Sequence, residues 1–181
     1  MEANEAHELH EHAEHGAHDP SMRPVAFTMS VLAVLVAIAT VLGHRTHTEA
    51  LLYQNKATDS WNEYQAQKIR STDTGNTADL MSVVTVADKD KAAAKLKGYA
   101  DHQTKWNSDF EKDQENAKEF EKKVEESEAR GNRFDLAETL LEIGLVITSV
   151  TLLTKTRIYW FLGLAFAAGG ILSAFSVLFL K

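Results

Sequence analysis

The uncharged run Ile158–Leu180 constrains this sequence more than any other feature. Its 23 residues carry no charged side chain and are rich in leucine, alanine, glycine and phenylalanine. At about 1.5 Å per residue, a helix of this length spans roughly 34 Å, which exceeds the bilayer core of about 30 Å. The run therefore predicts a membrane-spanning helix and places the chain among integral membrane proteins.

Two further apolar runs predict two more spans. Val25–Gly43 has 19 uncharged residues. The acidic segment before it and the lack of an Ala-x-Ala site favour a retained span over a signal peptide. Leu136–Leu153 contains two glutamates and is joined to the last run by the short basic turn Thr154–Arg157. We expect three spans in contact with membrane lipid.

The composition excludes several classes of function. The 181 residues include no cysteine, so no disulfide or cysteine-ligated metal site can form. A net charge of −7 without a basic, aromatic-rich patch argues against nucleic-acid binding. We find no nucleophile-plus-base pattern, no glycine-rich phosphate loop and no closed metal motif, so we do not expect an enzyme. Two prolines and nine glycines favour long helices.

The segment between the first two spans predicts two charged helices joined by a turn. No helix breaker precedes the turn-forming cluster Ser71–Thr77, so we expect the first helix to end near Arg70. Asp79 is a candidate cap for the next helix, and Gly131 followed by asparagine predicts where that helix ends. A β-branched run at residues 81–86 predicts a weak point in it.

Regular sets of residues predict the faces through which these helices pack. Small residues of the first span recur at steps of three and four, and this phase continues to Trp61. The middle segment repeats apolar and aromatic residues over four heptads of a coiled-coil seam. The last span offers two sets of small residues. The sets are Ala26, Ser30, Ala33, Ala37 and Thr40; then Leu96, Tyr99, Gln103, Trp106, Phe110, Asp113, Ala117, Phe120 and Val124; and finally Gly163, Ala167, Gly170 and Ala174, or Ala165, Gly169 and Ser173.

The predicted fold class is all-α, with three transmembrane helices and a long helical, coiled-coil hairpin inserted between the first and second spans. The predicted domains follow in chain order. They are a His/Glu-rich flexible tail (1–23), the first transmembrane helix (24–43), an extramembrane coiled-coil-like arm (44–133), and the second and third transmembrane helices (134–154 and 158–180).

The N-terminal tail is a candidate metal-binding segment. Five histidines alternate with glutamates in it, and neutral imidazole suits Zn, Ni or Cu ions. No two of these histidines are four residues apart, so the common helical ligand pair is absent. The alternative is a solvated tail without bound metal. The histidines are His7, His10, His12, His15 and His18.

An acidic face of the second span is the other candidate site. Asp135, Glu138 and Glu142 are spaced three and four apart and share one helix face. Glu142 must lie in the membrane, because the eleven residues after it are too few to cross. Connectivity brings the end of the first span to this face. We expect a structural ion pair of Arg45 with Asp135 or Glu138; the alternative is a metal or proton-relay site of His44, His47, Glu138 and Glu142.

Three stretches carry a resemblance to a known family. They are His7–Pro20 in the tail, Gly43–Ala50 after the first span, and Ala57–Trp61 in the first arm. The chain resembles a bacterial family of small membrane proteins that is catalogued only as a domain of unknown function. The resemblance implies an inner-membrane protein with one span, a helical insert and two more spans, and it implies no activity.

The features together predict a non-enzymatic scaffold or accessory subunit of a membrane complex. Three spans enclose little by themselves, so we expect a homo-oligomer or a larger complex. The basic turn at Lys155 and Arg157 favours a cytoplasmic turn in the bacterial inner membrane, with the middle segment in the periplasm. The alternative function is a metal-binding or proton-linked membrane protein that uses the histidine tail and the Glu138/Glu142 face.

Overall fold

The computed structural model describes residues 20–85 and 87–180, and these residues form helices and short turns without any strand. The elements are α1 (Arg23–Val83), α2 (Lys89–Thr154) and α3 (Arg157–Ser176), followed by one 3-10 turn (Val177–Phe179). The prediction of an all-α protein is confirmed. By length and composition, all three helices have a segment apolar enough to cross a membrane.

The first helix does not end where the sequence predicted. It passes through Ser71–Thr77 and ends at Val83, inside the β-branched run. Threonine hydroxyls of the cluster donate to carbonyls one turn earlier, as Thr72 does to Lys68 at 2.9 Å, so they do not compete with the helix. Gly75 faces α2, where an added Cβ would lie 3.2 Å from Nε2 of Gln103. Packing on α2 therefore overrides the local turn propensity.

The cap of α2 is Asp88 rather than Asp79. Its Oδ1 accepts the backbone N–H of Lys91 at 3.0 Å, which satisfies one free donor of the first turn. That backbone hydrogen bond, followed by the bond from the Lys91 ammonium, holds the pKa of Asp88 below its usual range.

We expect Asp88→Ala to lower the melting temperature of the protein at pH 7 and to have little effect near pH 3. A carboxyl with a depressed folded-state pKa stabilises the fold above its unfolded pKa of about 4, and this contribution is lost as pH falls through the folded pKa. Thermal unfolding followed by circular dichroism at both pH values measures it. An equal effect at both pH values would contradict the capping role; Asp90→Ala is the control.

The helices divide between two compact units. One unit comprises the chain up to Glu49 and from Glu126 onward, and the other is Ala50–Glu125. These divisions fall several residues inside the predicted arm (44–133), so the arm boundaries mark neither helix ends nor unit borders.

In the first unit, the buried face of α1 is displaced by one residue from the predicted small-residue face. Ser30 and Ala37 are exposed, whereas their neighbours Met29 and Val36 are buried. The prediction of this face is therefore correct only in part, because Ala26 is buried and Ala33 and Thr40 are half-buried. The core has larger side chains, which bury more apolar area per residue. It contains Met29, Leu32, Val36 and Ala39 of α1, Leu141 and Leu145 of α2, and Ala167 of α3.

Glycines bring α3 close to α2 in the same unit. A Cβ on Gly163 would lie 2.7 Å from the carbonyl oxygen of Gly144, and one on Gly170 would lie 2.8 Å from Cγ of Leu141. Of the two small-residue sets predicted for the last span, the set that contains Gly163 and Gly170 thus makes the closer approach to α2. The turn before α3 is as short as predicted, and Lys155 occupies it with a positive φ of 55°.

In the second unit, the seam predicted for α2 is confirmed by burial. Every member from Leu96 to Val124 is buried or half-buried. Tyr64 meets Phe110 edge to face with ring centroids 5.7 Å apart. The polar member Asp113 accepts a hydrogen bond from Gln67 at 2.8 Å. Tyr53 of α1 also stacks on Phe120 of α2.

Candidate functional site

The acidic face of α2 meets α1 in a cluster of hydrogen bonds within the first unit. The Thr40 hydroxyl of α1 lies 2.6 Å from Oε1 of Glu138 and 3.0 Å from the Val36 carbonyl oxygen. A hydroxyl carries one proton, so it donates to one of these two oxygens at a time. This contact ties the two helices together at the end of their apolar segments.

Two turns further along α1, His47 pairs with Asp135. Nε2 of His47 lies 2.9 Å from Oδ2 of Asp135. The side chains are 42% and 51% exposed, so water screens the pair and its contribution to stability is small. The pair serves mainly to orient two helix faces.

A glycine on each helix makes room for the polar side chain of the other. A Cβ on Gly43 of α1 would lie 3.1 Å from Oδ1 of Asp135. A Cβ on Gly131 of α2 would lie 2.8 Å from Cε1 of His47. Gly131 therefore admits the His47 ring and does not end a helix. The predicted helix end at Gly131 is wrong, since α2 continues to Thr154.

Arg45 is not the partner of the acidic face. Its side chain is exposed, while Asp135 pairs with His47 and Glu138 with Thr40. Nδ1 of His44 lies 3.2 Å from the Thr40 carbonyl oxygen of its own helix. The ion pair expected of Arg45 is thus replaced by a histidine–aspartate pair and a threonine–glutamate contact.

Four of the proposed metal ligands lie among the described residues, namely His44, His47, Glu138 and Glu142. Within residues 20–85 and 87–180, no three histidine, aspartate or glutamate side chains are placed to hold a metal ion. Glu142 is half-buried one turn beyond Glu138, and His44 is exposed. The five tail histidines, His7 to His18, lie outside the described residues.

Thr40, Gly43 and Gly131 are the members of this cluster that the sequence did not reveal. The sequence pattern places Thr40 on a small-residue face. In the structure its hydroxyl lies beside Glu138, 2.6 Å from Oε1. The sequence does carry a signal for this contact. Thr40 places a hydroxyl near the end of an apolar run, and Glu138 is an acidic side chain in another apolar run that needs a hydrogen-bond donor.

Two hydrogen bonds also hold α3 in this unit. Nε1 of Trp160 donates to the Thr28 hydroxyl of α1 at 3.2 Å. The Ser173 hydroxyl donates to the Arg133 carbonyl of α2 at 2.9 Å. In this unit, all three helices are thus joined to one another by both apolar and polar side-chain contacts.

The sequence of this three-helix chain matches a known family model. The family model described as Domain of unknown function (DUF4337) matches residues 21–180. The chain belongs to the DUF4337 family. The predicted membership of a family of unknown function is thereby confirmed over residues 21–180, and the tail stretch His7–Pro20 lies outside the match. Neither the curated proteins nor the solved structures contain a match to the chain.

Proposed function

We propose that this chain is a multi-pass protein of a bacterial inner membrane that self-associates as a scaffold or accessory subunit of a membrane complex. In this proposal the apolar segments of α1, α2 and α3 are the three spans. The charged helical segment at 44–133 forms an extramembrane arm between the first and second spans.

The apolar surface of the first unit carries this proposal. Large hydrophobic side chains remain exposed on the apolar segments of all three helices, opposite a well-filled core. Phe27 of α1 is 72% exposed, and Leu172 of α3 is 71% exposed. A surface this apolar is unfavourable in water and favourable in hydrocarbon, where helices satisfy their own backbone groups.

The contacts of the acidic face support a structural role over a catalytic one. Asp135 and Glu138 are each hydrogen-bonded to a side chain of α1, so their polar atoms serve helix pairing. The Ser173 hydroxyl of α3 likewise donates to the Arg133 carbonyl of α2 at 2.9 Å. These are the polar contacts expected between membrane helices.

Glu142 supports a second candidate function, in which protons or ions move along this face. It lies half-buried in an apolar segment of α2, and Glu138 precedes it by one turn. The Thr40 hydroxyl of α1 lies within hydrogen-bond distance of Glu138 on this face. In this candidate the histidine tail supplies the ions and several copies of the chain line the path.

For membrane orientation, we propose a cytoplasmic turn between α2 and α3 and a periplasmic arm. Lys155 and Arg157 make that turn basic, and short basic loops are retained on the cytoplasmic side. Because the chain contains no cysteine, labelling of single introduced cysteines in the turn and in the arm by an impermeant maleimide tests this orientation.

The mass and metal content of untagged protein distinguish the two candidate functions. We expect an oligomer in mild detergent without stoichiometric metal, whether or not residues 1–20 are present. Glu138→Gln combined with Glu142→Gln is expected to leave the oligomer folded. A monomer without partners would refute the scaffold, and a stoichiometric ion lost with residues 1–20 would favour the ion-linked protein.

A further inference from the structure

The arm segment of α1 has a second regular face, on the side away from α2. Two columns of residues repeat every seven positions along it. One column is Leu51, Thr58, Gln65 and Thr72. The other is Asn55, Asn62, Ile69 and Asn76. All eight side chains are exposed, whereas Tyr53, Ala57 and Tyr64 on the opposite side are buried or half-buried.

No member of this outer face is charged, although charged side chains surround it. Lys56, Asp59, Glu63, Lys68, Arg70 and Asp73 lie between its positions in the sequence. A face that met only water would be expected to share this charge, as solvated helix faces do. The two columns alternate at steps of four and three, which is the spacing of the a and d positions of a coiled coil.

We propose that this outer face pairs with the same face of a second copy in a parallel two-stranded coiled coil. The inference rests on the proposed membrane location, because copies inserted in one direction place their α1 helices parallel. A second copy fits the face because it presents the same uncharged residues, so no charge is buried on pairing. A two-fold interface uses one patch twice in this way.

The asparagine column supports this occupant. Asn55, Asn62 and Asn76 occupy the a positions, with Ile69 between them. A polar asparagine at an a position costs stability but fixes register and favours a defined oligomer, since its amide bonds to the same residue across the interface. A face with three such residues suits specific, reversible pairing of identical helices.

The flanking charges are complementary in the same register. Lys68 occupies a g position. Asp73, five residues later, occupies the e position of the next heptad. In a parallel pair, Lys68 of each copy faces Asp73 of the other, so the two-fold axis generates two ion pairs. Both side chains are exposed in the single chain. Asp79 occupies the next d position and marks where the uncharged face ends.

Cysteine cross-linking of the full chain in its membrane tests the pairing directly. The chain has no cysteine, so each introduced thiol is unique. We expect Asn62→Cys to give at least about five-fold more disulfide-linked dimer than Glu63→Cys under mild oxidation, because facing a positions approach within the geometry of a disulfide. Both positions are exposed, so neither substitution disturbs the core.

The outcome separates this inference from the scaffold itself. Equal cross-linking at both positions in a protein that is still oligomeric would overturn the coiled coil and leave the scaffold intact. A monomer in detergent and in membranes would overturn both. Cross-linking of Asn62→Cys to a different protein would overturn the second copy as the occupant of the outer face.

Exchanging the flanking charges provides an independent readout. We expect Lys68→Glu and Asp73→Lys each to shift the mass distribution towards monomer, because each creates two like-charge contacts. The double variant restores opposite charges and is expected to recover the dimer. If the double variant were no more dimeric than either single variant, the proposed register would be wrong.

Discussion

Gly163→Ala is expected to destabilise the protein by about 1–3 kcal/mol, because the new methyl group would overlap the α2 backbone. A Cβ at this position would lie 2.7 Å from the Gly144 carbonyl oxygen and 3.2 Å from the Thr148 backbone nitrogen, and it would also overlap the Thr148 hydroxyl. Backbone atoms cannot move aside as a flexible side chain does. Denaturation of the purified protein in mixed micelles, followed by circular dichroism, measures the loss.

Gly169→Ala is the matched control, because it makes the same chemical change on the same helix. A Cβ there would meet only Cδ1 of Leu140, at an ordinary contact distance of 3.6 Å. Alanine favours a helix over glycine by about 1 kcal/mol, so this variant is expected to be neutral or more stable. Similar losses in the two variants would show that α3 does not pack through the Gly163 face.

Thr40→Val is expected to destabilise the protein by about 1–3 kcal/mol, because it leaves the half-buried carboxyl group of Glu138 without this hydrogen bond at the end of an apolar segment. The valine is nearly isosteric, so the core around it keeps its volume. Thr48→Val is the control on the same helix, since its exposed hydroxyl donates only to the His44 carbonyl. Micelle denaturation of the three proteins compares them.

A double-mutant cycle with Glu138→Leu assigns the loss to the contact between the two side chains. Once the carboxyl group is absent, Thr40→Val leaves no carboxyl acceptor unsatisfied, and most of the loss should disappear. If Thr40→Val costs as much in the Glu138→Leu background as in the wild type, the hydroxyl acts through its own helix, at the Val36 carbonyl.

The α2 seam and the buried face of α1 show where sequence patterns carry information about packing and where they do not. The α2 seam, from Leu96 to Val124, is a line of apolar residues within a highly charged segment, so only one face of the helix fits a core. In the first span nearly every residue is apolar, and the face with Met29 and Val36 differs from its neighbour only in side-chain size. Periodicity cannot choose between such faces, and the contact with α2 and α3 does.

The same limit explains the errors in helix boundaries. Ser71–Thr77 and Gly131 both carry local signals for a helix end, and both lie inside helices. At Gly75 the glycine faces Gln103 across the pair of helices, and at Gly131 it admits the ring of His47. The sequence shows that a position needs a small residue, but a turn and a close side-chain approach make the same demand.

The sequence by itself determined the all-helical class, three apolar segments of membrane-spanning length, the α2 seam and the short turn before α3, because each depends on local composition and spacing. Only the tertiary structure decided which face of α1 is buried and where α1 ends. It also decided that His47 and Thr40, rather than Arg45, meet the acidic face. These contacts depend on which residues of distant segments lie at the same level along the packed helices, and no local sequence pattern encodes that. The uncharged run Ile158–Leu180 thus predicted a helix of membrane-spanning length, and the glycine contacts of Gly163 and Gly170 fixed how that run packs.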